Sequence, residues 1–130
     1  MSKRIACVSA ADAVRARVPA VLAAYAETRD TVLRAGLVDQ GLKDLCARYL
    51  AEDDDVVAHA DDPARFDERE RAALAWAHAV AWNADDADDA LWERLHAHFT
   101  EPELVELGYV IAFTLGQQHW LATLGLADEI

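Results

Sequence analysis

The chain has 130 residues, which is the length of one compact domain. Apolar residues make up 54% of it, and 28 residues are alanine, a strong helix former that fills little core volume. The 24 acidic residues and 12 basic residues give a formal charge of −12, which disfavours nucleic acid and anionic membrane surfaces as partners. We therefore expect a single all-α domain covering residues 1–130.

The beginning of the chain carries two basic residues but no apolar run after them, so no signal peptide is predicted. No apolar stretch reaches the roughly 20 residues that a membrane-spanning helix needs. The two cysteines, Cys7 and Cys46, form neither a Cys-x-x-Cys motif nor a disulfide framework. We therefore expect a cytoplasmic protein.

The spacing of apolar and capping residues predicts a compact bundle of six or seven helices and no strand. In chain order, the predicted helices cover about residues 9–17, 20–35, 39–51, 55–60, 67–82, 87–99 and 100–125. Asp67 with Glu70, and Thr100 with Glu103, have the spacing of capping boxes. The helix after Asp67 is apolar nearly all round and is expected to be the central buried helix.

Three stretches of the chain occur in the order and spacing of a known family. They are AGLVD with LKDL at 35–39 and 42–45, FDERERAALAWA at 66–77, and HFTEPELVEL at 98–107. Together they resemble the carboxymuconolactone decarboxylase family, which includes the alkylhydroperoxidase D-like proteins, over about residues 35–124. The resemblance implies an all-α fold and a homo-oligomer, typically a trimer or hexamer.

The peroxidase-type members of this family use a Cys-x-x-Cys pair followed by a histidine. In this chain the histidine would be His59, and Glu52 and Asp55 stand where the cysteines would be. The dithiol reaction is therefore not expected. If one helix held all three residues, they would share a side and could act as a carboxylate–imidazole acid/base group or a metal site. A solvated acidic helix cap with a surface histidine is the favoured interpretation.

Six further residues are candidates for a site. Cys46 is the only thiol in the matched region, and a buried apolar position is favoured over a peroxidatic one. Arg69 and Arg71 are interpreted as ion-paired residues or as binders of an anionic substrate. His78 interrupts an apolar helix, either as a hydrogen-bonded core or interface residue or as a proton carrier. Gln118 and His119 form a polar turn that a subunit contact or a pocket would satisfy.

Three functions remain open from the sequence. The first is a carboxymuconolactone decarboxylase-like protein without the dithiol, either inactive or using acid/base chemistry on a small organic acid or lactone. In the active form, His59 or His78 would carry the proton and Arg69 or Arg71 would face the anion. The second is a non-catalytic oligomeric interaction module. The third is a one-cysteine thiol peroxidase that uses Cys46. No cofactor and no metal ion are predicted.

Overall fold

The computed structural model of the protein describes residues 9–126, which form seven α-helices and contain no strand. The helices are α1 (Ala10–Arg15), α2 (Pro19–Thr28), α3 (Gln40–Leu50), α4 (Asp54–His59), α5 (Glu68–Trp82), α6 (Asp89–His98) and α7 (Glu101–Thr123). A π-helical turn, Arg29–Leu33, continues α2, and a 3₁₀ turn, Ala84–Asp86, precedes α6. The predicted all-α fold and helix number are confirmed. Cys7 lies outside the described residues.

The predicted capping boxes open the two longest helices. Asp67 accepts the Glu70 amide proton at 2.7 Å, while the Glu70 carboxylate accepts the Asp67 amide proton at 2.9 Å. The Thr100–Glu103 pair repeats this arrangement at the start of α7. Since each cap satisfies amides that have no partner within the helix, these local patterns locate the helix starts correctly.

Helix α4 begins at Asp54, one residue before the predicted start at about 55. Asp53 is its N-cap, and it accepts the amide protons of Asp55 and Val56. Glu52 adopts a left-handed backbone with φ of 61°, which separates α3 from α4. As a result Glu52 lies outside both helices, and no single helix holds Glu52, Asp55 and His59.

Helix α5 contacts α3, α6 and α7, as expected of a central helix. Ala72, Ala73 and Ala77 are completely buried, and their small side chains let the neighbouring helices approach closely. Its second half is nevertheless less buried than expected, because His78, Val80 and Trp82 are exposed. Leucines from α3, α5, α6 and α7 fill the core, among them Leu42, Leu74, Leu95 and Leu107.

A buried lysine joins the end of the π-helical turn to α3 and α7. Lys43 is only 2% exposed, and its ammonium donates to the carbonyls of Val32, at 2.6 Å, and Ala35. The same nitrogen lies 2.9 Å from Glu106 Oε2. We call this cluster the Lys43–Glu106 junction, and it supplies the partners that a buried charge requires.

The carboxylate of Glu106 completes the Lys43–Glu106 junction. It accepts the amide protons of Leu37 at 3.0 Å and Val38 at 2.8 Å. Gly36 has a φ of 102°, and a Cβ atom at this position would overlap the Glu106 carboxylate. Glycine is therefore required here both by backbone conformation and by space.

Helix α7 carries an exposed, uncharged stripe along its length. Its exposed members include Val105, Tyr109, Ala112, Gly116 and Trp120. Residues 107–126 contain no Asp, Glu, Lys or Arg, although 28% of the whole chain is charged. Among residues 9–126, no helix combines the length and apolar character needed to cross a membrane.

Candidate active site

An open cleft with a volume of about 450 Å³ lies between α5, α6 and the turn after α4, and we call it the α5–α6 cleft. Its basic and aromatic lining consists of Tyr49, Arg71, His78 and Arg94. Its carboxylates are those of Asp61, Asp86 and Asp88, and its apolar lining includes Leu74 and Leu91. The cleft therefore combines titratable groups with an apolar surface, as small-molecule sites do.

The Tyr49 hydroxyl and the His78 ring form a hydrogen-bonded pair in this cleft. The Tyr49 oxygen lies 2.8 Å from His78 Nδ1, and burial raises the pKa of Tyr49. The hydroxyl therefore stays protonated and can donate a hydrogen bond to Nδ1. In that arrangement the neutral imidazole carries its own proton on Nε2. His78 Nε2 lies 3.9 Å from Asp86 Oδ2, so this nitrogen is directed to the acidic part of the cleft.

His78 is not a buried core residue. Its side chain is 47% exposed, and its ring lies 5.3 Å from that of Trp82. The hydrogen bond to Tyr49 fixes its orientation, while the exposed part remains accessible to a ligand. This is the geometry that a proton carrier requires.

Arg71 and Arg94, which both line the cleft, share one glutamate, Glu68. Arg94 donates to Glu68 through Nε at 3.0 Å and Nη2 at 3.3 Å, and Arg71 Nη1 lies 3.6 Å from the same carboxylate. Arg71 Nε also donates to the Phe66 carbonyl. The hydrogen bond from Arg94 lowers the pKa of Glu68. Two positive charges thus face one negative charge, which leaves capacity for an anionic ligand.

Of the predicted Glu52–Asp55–His59 group, the structure brings Asp55 and His59 together and leaves Glu52 outside their helix. Asp55 accepts from Arg65 Nη2 at 2.6 Å, and this hydrogen bond lowers the Asp55 pKa. His59 Nδ1 donates to the Asp55 carbonyl at 2.9 Å and lies 3.6 Å from its Oδ1. Glu52 lies in the preceding turn. Among the described residues, no three His, Cys, Asp or Glu side chains are arranged to hold a metal ion.

Arg69 does not line the α5–α6 cleft, although it lies two residues before Arg71. Its Nη1 donates to Asp39 Oδ1 at 2.8 Å, and its guanidinium lies 4.5 Å from the centre of the Phe99 ring. Arg69 therefore ties α5 to the cap of α3 and to the end of α6. Its position is that of an ion-paired residue rather than a ligand-binding one.

The polar turn on α7 is divided between the interior and the surface. Gln118 is 4% exposed and donates to the Ala47 carbonyl at 3.0 Å, while its Oε1 is buried without a hydrogen bond. His119 is exposed on the other side of α7. Neither side chain lines the α5–α6 cleft. Gln118 instead connects α7 to α3.

Cys46 is buried in the core, at 1% exposure. Burial raises the pKa of its thiol to about 12, with a smaller contribution from the Asp39 charge. The nucleophile in thiol peroxidases is the thiolate, so a protonated and inaccessible thiol gives no support to that function.

Sequence reasoning did not identify Tyr49 or Arg94 as site residues. Tyr49 belongs to the apolar stripe of α3, but a tyrosine on a buried stripe needs a partner for its hydroxyl, and this signal points towards a neighbouring polar group. Arg94 has no local pattern that distinguishes it from other helix-surface arginines.

Comparison of the chain with protein-family models, curated proteins and solved structures finds no match. The arguments for its function therefore come from its own residues.

Proposed function

We propose that the protein is a divergent carboxymuconolactone decarboxylase-like protein that lacks the peroxidatic dithiol and acts on a small organic acid or lactone by acid/base chemistry. The observation that carries this proposal is that His78 and Arg71, both candidates from the sequence, line one cleft together with Tyr49 and Arg94. In this proposal the protein acts in the cytoplasm, where free thiols such as Cys46 are common.

The contacts between the three family-like stretches support the resemblance. Lys43 of the first stretch pairs with Glu106 of the third, and Asp39 of the first pairs with Arg69 of the second. Arg69 also packs on Phe99 of the third stretch. Stretches that are far apart in the chain thus form one connected framework, as parts of a common fold would.

The cleft can supply both roles of acid/base catalysis through His78. As an imidazolium, His78 donates from Nδ1 to the Tyr49 oxygen and can give its Nε2 proton to the bound molecule, which leaves the neutral imidazole. When Nδ1 donates to the Tyr49 oxygen, Nε2 is the basic nitrogen and can accept a proton. The guanidinium groups of Arg71 and Arg94 would hold a carboxylate of the substrate.

The test is a turnover screen over small carboxylic acids and lactones with the wild-type protein, His78→Gln and a matched control, His59→Gln. We expect His78→Gln to lower turnover by about 10²- to 10⁴-fold, because a general acid or base is lost. His59→Gln changes an exposed helical histidine outside the cleft and is expected to retain wild-type turnover. A silent wild type, or equal turnover of both variants, contradicts the proposal.

We propose as a second candidate function a non-catalytic oligomeric module, favoured by the uncharged stripe of α7. A second copy of this chain is the occupant that the charges support. Two chains of charge −12 repel each other over most of their surfaces, and the stripe is where they can meet without opposed acids. The apolar groove beside it, with a volume of about 620 Å³ and walls that include Trp76 and Tyr109, offers further contact area.

Mass measurement by light scattering tests this assembly. The family resemblance implies a trimer or a hexamer. Raised salt is expected to strengthen the assembly, because it screens like-charge repulsion. Tyr109→Glu should dissociate it, while Val57→Glu, on an exposed residue of α4, serves as the control. A monomer at all salt concentrations excludes the module. An oligomer that Tyr109→Glu leaves intact excludes this interface.

A further inference from the structure

Two arginines and two aspartates of the α5–α6 cleft are separated along its length. Arg71 and His78 lie seven residues apart on one side of α5, which corresponds to about 10 Å along the helix axis. Arg94 contacts Glu68 at the start of α5, whereas Asp86, just before α6, lies near His78 in its second half. Helices α5 and α6 therefore run antiparallel, with a basic end and an acidic end to the cleft between them.

The two arginines of the basic end have one acidic partner within ion-pair distance. Glu68 is the shared partner of Arg71 and Arg94, so one carboxylate faces two guanidinium groups. This differs from ion pairs elsewhere in the described chain, such as Arg48–Asp53 and Arg69–Asp39, which match one basic residue with one acid. A carboxylate is the ligand group that the basic end is suited to bind.

The acidic end has the opposite imbalance. Asp86 accepts from the Asn83 side chain at 3.1 Å, and Asp88 accepts from the Leu91 amide at 2.9 Å as the cap of α6. Within residues 9–126, no Lys or Arg nitrogen lies within 4.0 Å of either carboxylate. Both carboxylates line the cleft, so a cationic group bound at this end would face two acids.

An apolar section separates the two ends. Leu74 and Ala75 line the cleft from α5, in the helical turns between Arg71 and His78, and Ala90 and Leu91 line it from α6. A ligand that reaches both ends must therefore place methylene groups, rather than polar groups, at its centre.

We propose that the α5–α6 cleft binds an ω-amino carboxylate, with its carboxylate at Arg71 and Arg94, its ammonium at Asp86 and Asp88, and its aliphatic chain against Leu74 and Leu91. This inference rests on the proposed function of the cleft as a binding site for a small organic acid. It adds that the acid also carries an amine at the far end of an extended chain.

Calorimetric titration of the full chain with three probes tests the assignment. The probes are ε-aminocaproate, which carries both charges, caproate, which carries the carboxylate alone, and n-hexylamine, which carries the ammonium alone. We expect ε-aminocaproate to bind about tenfold or more tightly than either of the others, since each charged end adds an interaction. γ-Aminobutyrate is expected to bind more weakly than ε-aminocaproate, because its chain is too short to reach both ends.

Two variants assign the ends separately. Asp86→Asn should weaken binding of ε-aminocaproate and n-hexylamine but leave caproate unchanged, with Asp85→Asn, which lies outside the cleft, as its control. Arg71→Gln should weaken ε-aminocaproate and caproate but leave n-hexylamine unchanged, with Arg48→Gln, on an exposed residue outside the cleft, as its control. Far-UV circular dichroism verifies that each variant is folded.

The outcomes separate this inference from the proposed function. If caproate binds as tightly as ε-aminocaproate and Asp86→Asn changes neither, the ammonium site is overturned while the organic-acid site stands. If none of the probes binds and the turnover screen is silent, both are overturned.

Discussion

The Lys43–Glu106 junction and the α5–α6 cleft use the same side-chain chemistry for opposite purposes. In the junction, Lys43 is 2% exposed and Glu106 is 14% exposed, and each makes several hydrogen bonds to the backbone or to the other. In the cleft, Arg71 and Arg94 are more exposed and share a single glutamate. Burial with complete partners makes the first a structural tie, whereas exposure with incomplete partners leaves the second open to a ligand.

Most residues that carry the family resemblance are structural ties, whereas most ligand-accessible residues of the cleft lie outside the three family-like stretches. Lys43, Asp39, Arg69 and Glu106 all belong to the three family-like stretches, and all are engaged in contacts between helices. A sequence resemblance carried by such residues concerns how the helices are held together. It says little about which reaction the protein performs, because the ligand-accessible groups lie mostly elsewhere.

The largest expected effect comes from removing the charge of Lys43. Lys43→Met leaves the Glu106 carboxylate and two carbonyls without their buried partner, and should reduce the free energy of unfolding by about 3–5 kcal/mol. Urea denaturation measures this loss. The matched control is Arg48→Met, since Arg48 forms an exposed pair with Asp53. Arg48→Met should reduce the free energy of unfolding by less than about 1 kcal/mol. Equal losses in the two variants would show that the junction is no more structural than a surface pair.

A smaller loss is expected at Gly36. Gly36→Ala adds a Cβ atom at a left-handed backbone position and against the Glu106 carboxylate. It should destabilise the protein by about 1–3 kcal/mol. Gly125→Ala provides the control, because Gly125 has a similar φ of 75° but no atom within 4 Å of an added Cβ. The Gly36 variant should therefore unfold at lower urea than the Gly125 variant. The reverse order would contradict the close packing of Glu106 against the turn.

The helix starts could be predicted from the sequence because their interactions are local. Asp67 and Glu70 are three residues apart, and their reciprocal hydrogen bonds need only one turn of helix. The Glu52–Asp55–His59 hypothesis required a continuous helix. The left-handed backbone of Glu52 interrupts it, and no nearby glycine marked that position.

The cleft could be predicted only in part because its contacts are distant in sequence. His78 and Arg71 were identified as single residues of suitable chemistry. Tyr49, which bonds to His78 across 29 residues, and Arg94, which shares the Glu68 carboxylate with Arg71, come from other helices. Such pairs depend on how α3, α5 and α6 pack, and periodicity within a single helix does not specify that packing.

Acid should weaken the junction in a defined direction. Burial alone raises the pKa of Glu106, but hydrogen bonds from the Leu37 and Val38 amides and from Lys43 outweigh it, so the pKa lies below its usual value. Because the folded pKa is depressed, the stabilisation is complete above the unfolded pKa of about 4.3 and is lost as the pH falls through the folded pKa.

Urea denaturation of the wild type and Glu106→Gln, from about pH 6 down to pH 3, measures this contribution. The wild type should have the higher free energy of unfolding at about pH 6. The difference in free energy of unfolding between the two proteins should narrow towards about pH 3. A difference that stays constant with pH would mean that Glu106 ionisation does not contribute to stability.

The smallest effects on stability are expected in the cleft. Tyr49→Phe removes one hydrogen bond and should cost about 0.5–1.5 kcal/mol. His78→Gln removes the same hydrogen bond and should cost a similar amount, about 0.5–1.5 kcal/mol, because the His78 side chain is about half exposed but the Tyr49 residue that it bonds is buried. Urea denaturation beside the turnover screen separates two roles of His78: loss of turnover in His78→Gln with a free energy of unfolding close to that of Tyr49→Phe assigns His78 a chemical role. A loss of several kcal/mol would instead place His78 with Lys43, as a residue that holds the helices together.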